Sequence, residues 1–337
     1  MRFVQLPMRP RVAITSGDPA GIGPEIARAA AADARVRAVC DPVVYDPPSH
    51  HEFQPGVLSA AAGRAAYDVI LRAVSDARRG EVAAVATGPI NKEAFRLAGL
   101  PWVGHTDLLA HLTGAGPVAM MFDSAALRVV LATVHIPLAD VPQKLTRESL
   151  ESTIALAARE LPRFGVDRPR IAVAGLNPHA GEHGLFGEEE IRTIEPAIGA
   201  CRSRGIDVSG PFPSDTIFVR ATRGEFDLVV ACYHDQGLIP VKLLGFGHAV
   251  NVTLGLPIIR TSVDHGTAFD IAGKGVADAG SMVAAVLLAA RLARRSLEEG
   301  AVRLSSGHGP SIADGASNAP GLSSERDLSS NPRLSGA

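Results

Sequence analysis

Three apolar runs of this chain each stop at a histidine: LRVVLATVH ends at His135, IAVAGLNPH at His179 and LVVACYH at His234. A nearly continuous apolar run that halts at a polar turn is the signature of a strand buried on both faces of a parallel sheet. In open α/β sheets the carboxyl ends of such strands are where ligands bind. None of the three histidines belongs to a local chelate motif such as H-x-x-x-H, so for any one alone a hydrogen-bonded structural role is the simpler account. Jointly they carry more. If the strands are parallel and close in the sheet, their ends converge, and three neutral imidazoles could hold a divalent ion with a position open for substrate. Such an ion polarises a substrate oxygen and lowers the pKa of a bound hydroxyl, which suits alcohol oxidation.

The densest chemistry lies between Asp227 and Gly275. Beyond His234 and Asp235 come Lys242 and Arg260, charges embedded in so apolar a stretch that neutralising an anion explains them better than a solvated surface does. Of the two, arginine is better suited to a bidentate grip. Asp264-His265-Gly266-Thr267 and the following Phe269 to Gly275 are rich in glycine and small residues, which let a backbone approach a ligand closely. Earlier, Gly104-His105-Thr106-Asp107 precedes a helix; capping by Thr106 or Asp107 accounts for the aspartate but not for His105. Asp215, in the turn-rich stretch from Gly210 to Thr216, reads equally as a turn or cap residue and as a site residue. The loop from Ser16 to Glu25 invites a phosphate-cradle reading, yet it is neither G-x-G-x-x-G nor a Walker A sequence, and a plain strand-to-helix turn serves as well.

The elements that must position these residues alternate. Strands are expected at Val12 to Thr15, Val82 to Ala86, Val118 to Phe122, Leu127 to His135, Ile171 to Gly175 and Leu228 to Cys232. Helices are expected at Ile26 to Ala34, Ser59 to Arg78, from Lys92, and at Leu145 to Phe164, Glu188 to Ile198 and Ser281 to Glu299. A proline-rich connection spans Asp41 to Pro55. A length of 337 residues allows one large or two coupled α/β domains. Lys plus Arg (33) nearly cancel Asp plus Glu (35), so bulk charge points to neither a nucleic acid nor a membrane as partner. Cys40, Cys201 and Cys232 form no disulfide framework or zinc-ribbon spacing, which fits a reducing compartment. With no signal-peptide core or membrane-length apolar run, a cytoplasmic location is expected. Residues 305–337, dominated by Ser, Gly, Pro, Asn and Asp, are expected to be a disordered tail.

The motifs also occur in a recognisable order. GDPAGIGPE begins at Gly17, TGPINKEA at Thr87, GHTDLL at Gly104, HIPL at His135, NPHAGE at Asn177, PSDT at Pro213 and YHDQGLIPVKLLGF at Tyr233, followed by NVTLGLPIIRTSVDHGTAFDIAGKG from Asn251. Over nearly all of residues 11–295 the chain resembles the 4-hydroxythreonine-4-phosphate dehydrogenase family of vitamin B6 biosynthesis, including its branch acting on four-carbon sugar-acid 4-phosphates. The resemblance implies an isocitrate/isopropylmalate dehydrogenase-like three-layer α/β/α fold. It further implies an N-terminal arm at 1–10, a catalytic unit of two interleaved subdomains at 11–304 with the site in their cleft, and a homodimer. NAD or NADP would be bound without a Rossmann fingerprint, around His265, Gly266, Thr267, Asp270 and Gly273. One divalent ion per site would be held by His135, His179 and His234, with zinc expected first and magnesium, manganese or cobalt able to support the same chemistry. Substrate contacts carry over to His105, Thr106, Lys242, Asn251 and Arg260.

The implied reaction oxidises the C3 hydroxyl of 4-hydroxy-L-threonine 4-phosphate to a 3-oxo acid, which decarboxylates to 3-amino-2-oxopropyl phosphate. Asp215, Asp235 and Lys242 are the candidates for proton acceptor. Two departures from the family pattern stand out. The segment between the first helix and Ser59 is short, so a peripheral strand and its crossover should be missing or reduced. The loop His183-Gly184-Leu185-Phe186-Gly187 looks more like the sugar-acid branch, which makes D-threonate or D-erythronate 4-phosphate the alternative substrate. A phosphate acyltransferase or a phospholigand-binding protein on a related fold is the more distant alternative.

Overall fold

The computed structural model describes residues 9–48, 52–245 and 247–305. In chain order the elements are β1 (Arg11–Thr15), α1 (Gly23–Ala32), α2 (Ala34–Val39), β2 (Asp41–Tyr45), α3 (Ala60–Arg78), β3 (Ala84–Thr87), α4 (Lys92–Leu97) and α5 (His105–Thr113). Then follow β4 (Ala119–Asp123), β5 (Arg128–Leu131), α6 (Val141–Lys144), α7 (Arg147–Glu160), β6 (Ile171–Ala174), α8 (Glu195–Ser203) and β7 (Val208–Phe212). The last are α9 (Ser214–Thr222), β8 (Leu228–Ala231), α10 (His234–Gly245), β9 (Val250–Leu254), β10 (Arg260–Ser262) and α11 (Gly280–Ser305). The helices start where side chains can satisfy free backbone N–H groups. The Ser59 hydroxyl accepts from Ala62 N, the Asn91 amide oxygen from Glu93 N and Ala94 N, and Thr146 and Ser149 cap each other's backbone.

All strands join one sheet in the order β2-β1-β3-β10-β9-β4-β5-β8-β6-β7. The half from β2 to β10 is parallel, as is the half from β5 to β7, while β10–β9, β9–β4 and β4–β5 pair antiparallel. Three reversals in a row make the two halves run in opposite directions. Alternating side chains divide the core between the faces. Val12, Ile14, Val130, Ile171, Val173 and Val230 pack with α1, α7, α8 and α11 on one face. On the other, Ala13 and Val85 pack with α3, α4 and α5, whereas Val129, Ala172 and Val229 pack with α9 and α10. The architecture is therefore three layers, α/β/α, with the second helical layer split into two blocks. The described residues up to Glu298 form one compact unit, and no described helix is long and apolar enough to cross a membrane.

Several expectations change in detail. The connection from Asp41 to Pro55 begins with an edge strand, β2, reached through the six-residue α2. The helix expected over Glu188 to Ile198 is a π-helical turn, Glu190–Ile194, leading into α8. The turn-rich stretch around Asp215 is strand β7 followed directly by α9. Strand β5 stops at Leu131, four residues before His135. The last helix runs on to Ser305; residues 1–8 of the expected arm and 306–337 of the expected tail lie outside the described residues.

Helix α10 lies close against β5 and β8 because Gly237 has no side chain. A Cβ there would come within 2.6 Å of Leu131 Cδ2, 2.8 Å of Val129 Cγ1 and 3.1 Å of Ala231 Cβ. Gly237→Val should therefore push α10 outward and lower stability by about 1–3 kcal/mol, as overpacking does. Chemical denaturation against wild type measures this, and an unchanged midpoint would show that the helix does not depend on that contact.

Candidate functional site

The split in the second helical layer leaves a cavity of about 1080 Å³ over the antiparallel middle of the sheet. Its floor includes Met120 and Phe122 of β4, Asn251 of β9 and Arg260 of β10; its walls come from the start of α5 on one side and from α10 on the other. That volume suits a small-molecule site. His105, Thr106, Lys242, Asn251, Arg260, Asp235, His135, His234, His265 and Gly266 all line it.

One corner holds a buried guanidinium. Arg260 is 2% exposed. Its Nε and Nη2 donate to Thr87 Oγ1 at 3.1 and 2.7 Å, and Nη1 donates to Thr253 Oγ1 at 2.9 Å. No carboxylate pairs with it among the described residues; burial alone pulls its pKa down to about 9. The guanidinium is thus charged at neutral pH without a counter-charge. Beside it, burial first and then the charge of Arg260 hold the His105 pKa well below the usual histidine range, so its imidazole is neutral. His105 Nε2 and Asn251 Oδ1 are buried without a hydrogen-bond partner, as polar groups awaiting a ligand would be. His105 opens α5, whose free N–H groups favour negative charge. The Asp107 carboxylate caps the same helix start, accepting from Val103 N at 2.5 Å and Gly104 N at 2.8 Å.

The opposite wall gathers titratable side chains. His135 and His234 face each other with ring centroids 5.5 Å apart. Burial, then the charges of Lys92 and His234, lower the His135 pKa. His234 Nδ1 lies 2.7 Å from Asp235 Oδ1. Lys242 Nζ donates to the Asp264 carbonyl at 3.3 Å. His135 sits at φ 38°, a left-handed backbone that costs a β-carbon-bearing residue energy and is typical of functional sites.

Strands β5, β8 and β6 are adjacent and parallel, as convergence of the three histidines requires. His179 nevertheless does not reach the cavity. After β6 the chain winds left-handed, with positive φ at His179, Ala180, Gly181, Glu182 and His183, and the His179 ring lies 6.0 Å from that of Phe186. This loop is tied down by the buried carboxylate of Glu190, which accepts from Leu176 N and Asn177 N at 2.8 Å each. Among the described residues no three His, Cys, Asp or Glu side chains gather as a metal-ligand set. The expected three-histidine set is therefore not assembled here; the pair His135 and His234 supplies two imidazole donors. Asp215 is likewise outside the cavity, exposed in the first turn of α9 where an acid suits the helix dipole.

The presumed cofactor stretch is divided. His265 and Gly266 line the cavity, whereas Thr267, Asp270 and Gly273 do not. Thr267 O accepts from Ile22 N at 2.9 Å, and a Cβ on Gly21 would lie 2.8 Å from the same oxygen. Gly273, at φ 72°, packs on Pro55. Gly21 thus lets the loops 16–25 and 265–275 lie against each other, and Gly273 lets the second of them pack on Pro55. Reasoning from sequence missed Thr87, Thr253 and Lys92. Thr87 and Lys92 share the motif TGPINKEA and Thr253 lies in NVTLG, but neither motif shows that the threonines meet Arg260, which is 173 residues from Thr87.

With this geometry in view, comparison with known proteins is informative. The family model described as pyridoxal phosphate biosynthetic protein PdxA matches residues 19–289. The chain is 45% identical over 323 residues to a 4-hydroxythreonine-4-phosphate dehydrogenase from Desulforapulum autotrophicum, covering 84% of this chain and 95% of that protein. It is 46% identical over 326 residues to a D-threonate 4-phosphate dehydrogenase from Cupriavidus necator, covering 85% and 98% respectively. A crystal structure of a 4-hydroxythreonine-4-phosphate dehydrogenase from Klebsiella pneumoniae matches with a TM-score of 0.77 at 44% identity, over 85% of this chain and 99% of that one.

The lone buried charge gives a test that needs no substrate. Inorganic phosphate at 100 times its Kd should stabilise the wild-type protein by about 2.7 kcal/mol, and Arg260→Met should abolish that increment. Without phosphate the variant should be as stable as wild type or more so, since an apolar side chain replaces an unpaired buried ion. Thermal melts with and without phosphate read both effects, and a phosphate response retained by the variant would place the anion elsewhere.

Proposed function

The chain belongs to the family of the pyridoxal phosphate biosynthetic protein PdxA, and from that premise we propose that it is an NAD- or NADP-linked dehydrogenase of a 4-phosphorylated, four-carbon 3-hydroxy acid. The observation that carries the reading is the pairing of an uncompensated Arg260 with a proton-handling wall in one cavity. An anionic substrate would be gripped at Arg260, His105, Thr106 and Asn251, which leaves its carbinol facing Asp235 and Lys242. Oxidation then removes a hydride from C3 to the nicotinamide while the hydroxyl proton passes to a base. Asp235 and Lys242 line the cavity and are the two candidates that remain; Asp215 drops out. The resulting 3-oxo acid loses carbon dioxide, and the ammonium of Lys242 is placed to stabilise the enolate left behind.

A divalent ion, when bound, would add Lewis-acid polarisation of the substrate oxygens, and His135 and His234 are the imidazoles offered to it. His135 is suited to that role because burial favours its neutral form. The preferred substrate is 4-hydroxy-L-threonine 4-phosphate. D-threonate or D-erythronate 4-phosphate is the second reading, favoured by the His183 to Gly187 loop and by a relative of equal similarity that bears the D-threonate name.

The reading is tested by following NADH or NADPH formation by purified protein supplied with zinc, magnesium, manganese or cobalt and each of the three phosphorylated acids. Turnover of the amino acid above the two sugar acids is expected. The reverse preference would move the chain to sugar-acid oxidation, and no reduction of either nucleotide with any of them would sink the dehydrogenase reading. Arg260→Met should lower kcat/KM by about 30-fold or more, the cost of losing a buried charge-assisted contact.

A further inference from the structure

Arg260 is held in an unusual way for a guanidinium that is almost wholly buried. Buried arginines are ordinarily paired with carboxylates. Here the three hydrogen bonds that fix it go to two threonine hydroxyls, on strands either side of its own: Thr87 at the end of β3 and Thr253 on β9. Thr87 is fully buried and Thr253 is 4% exposed. The Thr87 hydroxyl is itself fixed, 3.0 Å from Ser262 Oγ and 3.4 Å from the Thr261 carbonyl, either of which can take its proton while its lone pairs face Arg260. A guanidinium has five N–H donors. Nε has spent its single one, and each terminal nitrogen has spent one of two, which leaves one N–H on each terminal nitrogen.

We propose that Thr87 and Thr253 are positioning residues for anion selection, holding Arg260 through three hydrogen bonds without cancelling its charge, so that the counter-ion is the anionic group of the substrate. This rests on the reading that the cavity takes a phosphorylated acid, and adds to it the device by which the anion is required. A carboxylate at either position would orient the guanidinium at least as firmly, but it would neutralise it and leave little electrostatic reason for a ligand to bind. A hydroxyl accepts the hydrogen bond and contributes only a dipole. The neutral His105 beside the guanidinium follows the same logic, since a protonated imidazole would be repelled and a carboxylate would compete with the ligand.

Removal of a hydroxyl at constant shape tests the idea. Thr87→Val, Thr253→Val, Thr87→Ser and Arg260→Met would be titrated calorimetrically with inorganic phosphate and separately with NAD, and assayed with the phosphorylated acid. Thr87→Val should weaken phosphate binding about 10-fold or more, because two charge-assisted hydrogen bonds lose their acceptor. Thr253→Val should weaken it several-fold, and Thr87→Ser, which keeps the hydroxyl, should stay near wild type. NAD affinity should not move in any variant, and the loss in turnover should appear in KM more than in kcat. Wild-type phosphate affinity in folded Thr87→Val, or a Thr87→Ser as weak as Thr87→Val, overturns the proposal. If Thr87→Val does not fold, an unchanged phosphate affinity in Thr253→Val overturns it instead. A wild-type protein that binds no phosphate, or binds it equally after Arg260→Met, fails the anion-site reading itself, a result distinct from either of those.

Discussion

A continuous backbone ladder runs through a sheet whose two halves point in opposite directions, and this constraint sets the rest of the structure. Buried backbone groups must be paired, so β9 and β4 bridge the halves with antiparallel hydrogen bonds. Parallel neighbours need long crossovers, usually helical, whereas antiparallel neighbours do not. Helices therefore accumulate over the parallel halves, α3 to α5 over one and α9 with α10 over the other. On that face the middle strands are left without a helix. The cavity is a consequence of topology first and of side-chain size second.

What fills that gap is decided by electrostatics. The cavity carries the cations Lys92, Lys242 and Arg260. Of its three acids, Asp107 is engaged as a helix cap, Asp235 faces a histidine and Asp264 accepts from Ser281 Oγ. Burial disfavours the charged state of His105 and His135, so the imidazoles add polarity without adding to the positive charge. The result is a concave surface with a buried guanidinium that no carboxylate pairs in one corner and a group of titratable side chains on the opposite wall.

Much of this was legible in the chain. Apolar runs ending in polar turns identified the strands that flank the site, because a strand buried on both faces has no alternative pattern. Arg260 and Lys242 stood out as charges in apolar surroundings, and Asp107 as a cap. The failures have physical causes. Residues 179–184 adopt a left-handed path that no glycine pattern dictates at His179 or Glu182, so the direction of His179 could not be read from the strand before it. Asp215 looked like a loop acid because the prolines around it suggested turns, while β7 and α9 abut with a single residue between them. The stretch after α1 read as a proline-rich connection, yet six helical residues are enough to reach the sheet edge, where Asp41–Tyr45 pairs as β2. Thr87 was invisible as a partner of Arg260 because only the pairing of β3 with β10 brings them together.

The placement of β9 and β10 at the centre of the sheet also imposes an order on assembly. Among the described residues these are the last strands in the sequence, and they alone link β3 to β4. During synthesis from the amino terminus, the two halves can form their local helices and parallel pairs, but each presents an unpaired inner edge until residues 250–262 have emerged. Exposed strand edges invite pairing with other chains, and contacts between residues far apart in sequence slow folding. Arg260 arrives on the strand that closes the gap, so completion of the hydrogen-bonded ladder and the meeting of its guanidinium with Thr87 and Thr253 belong to one event: the nascent chain seats this buried charge only at the moment its sheet becomes whole.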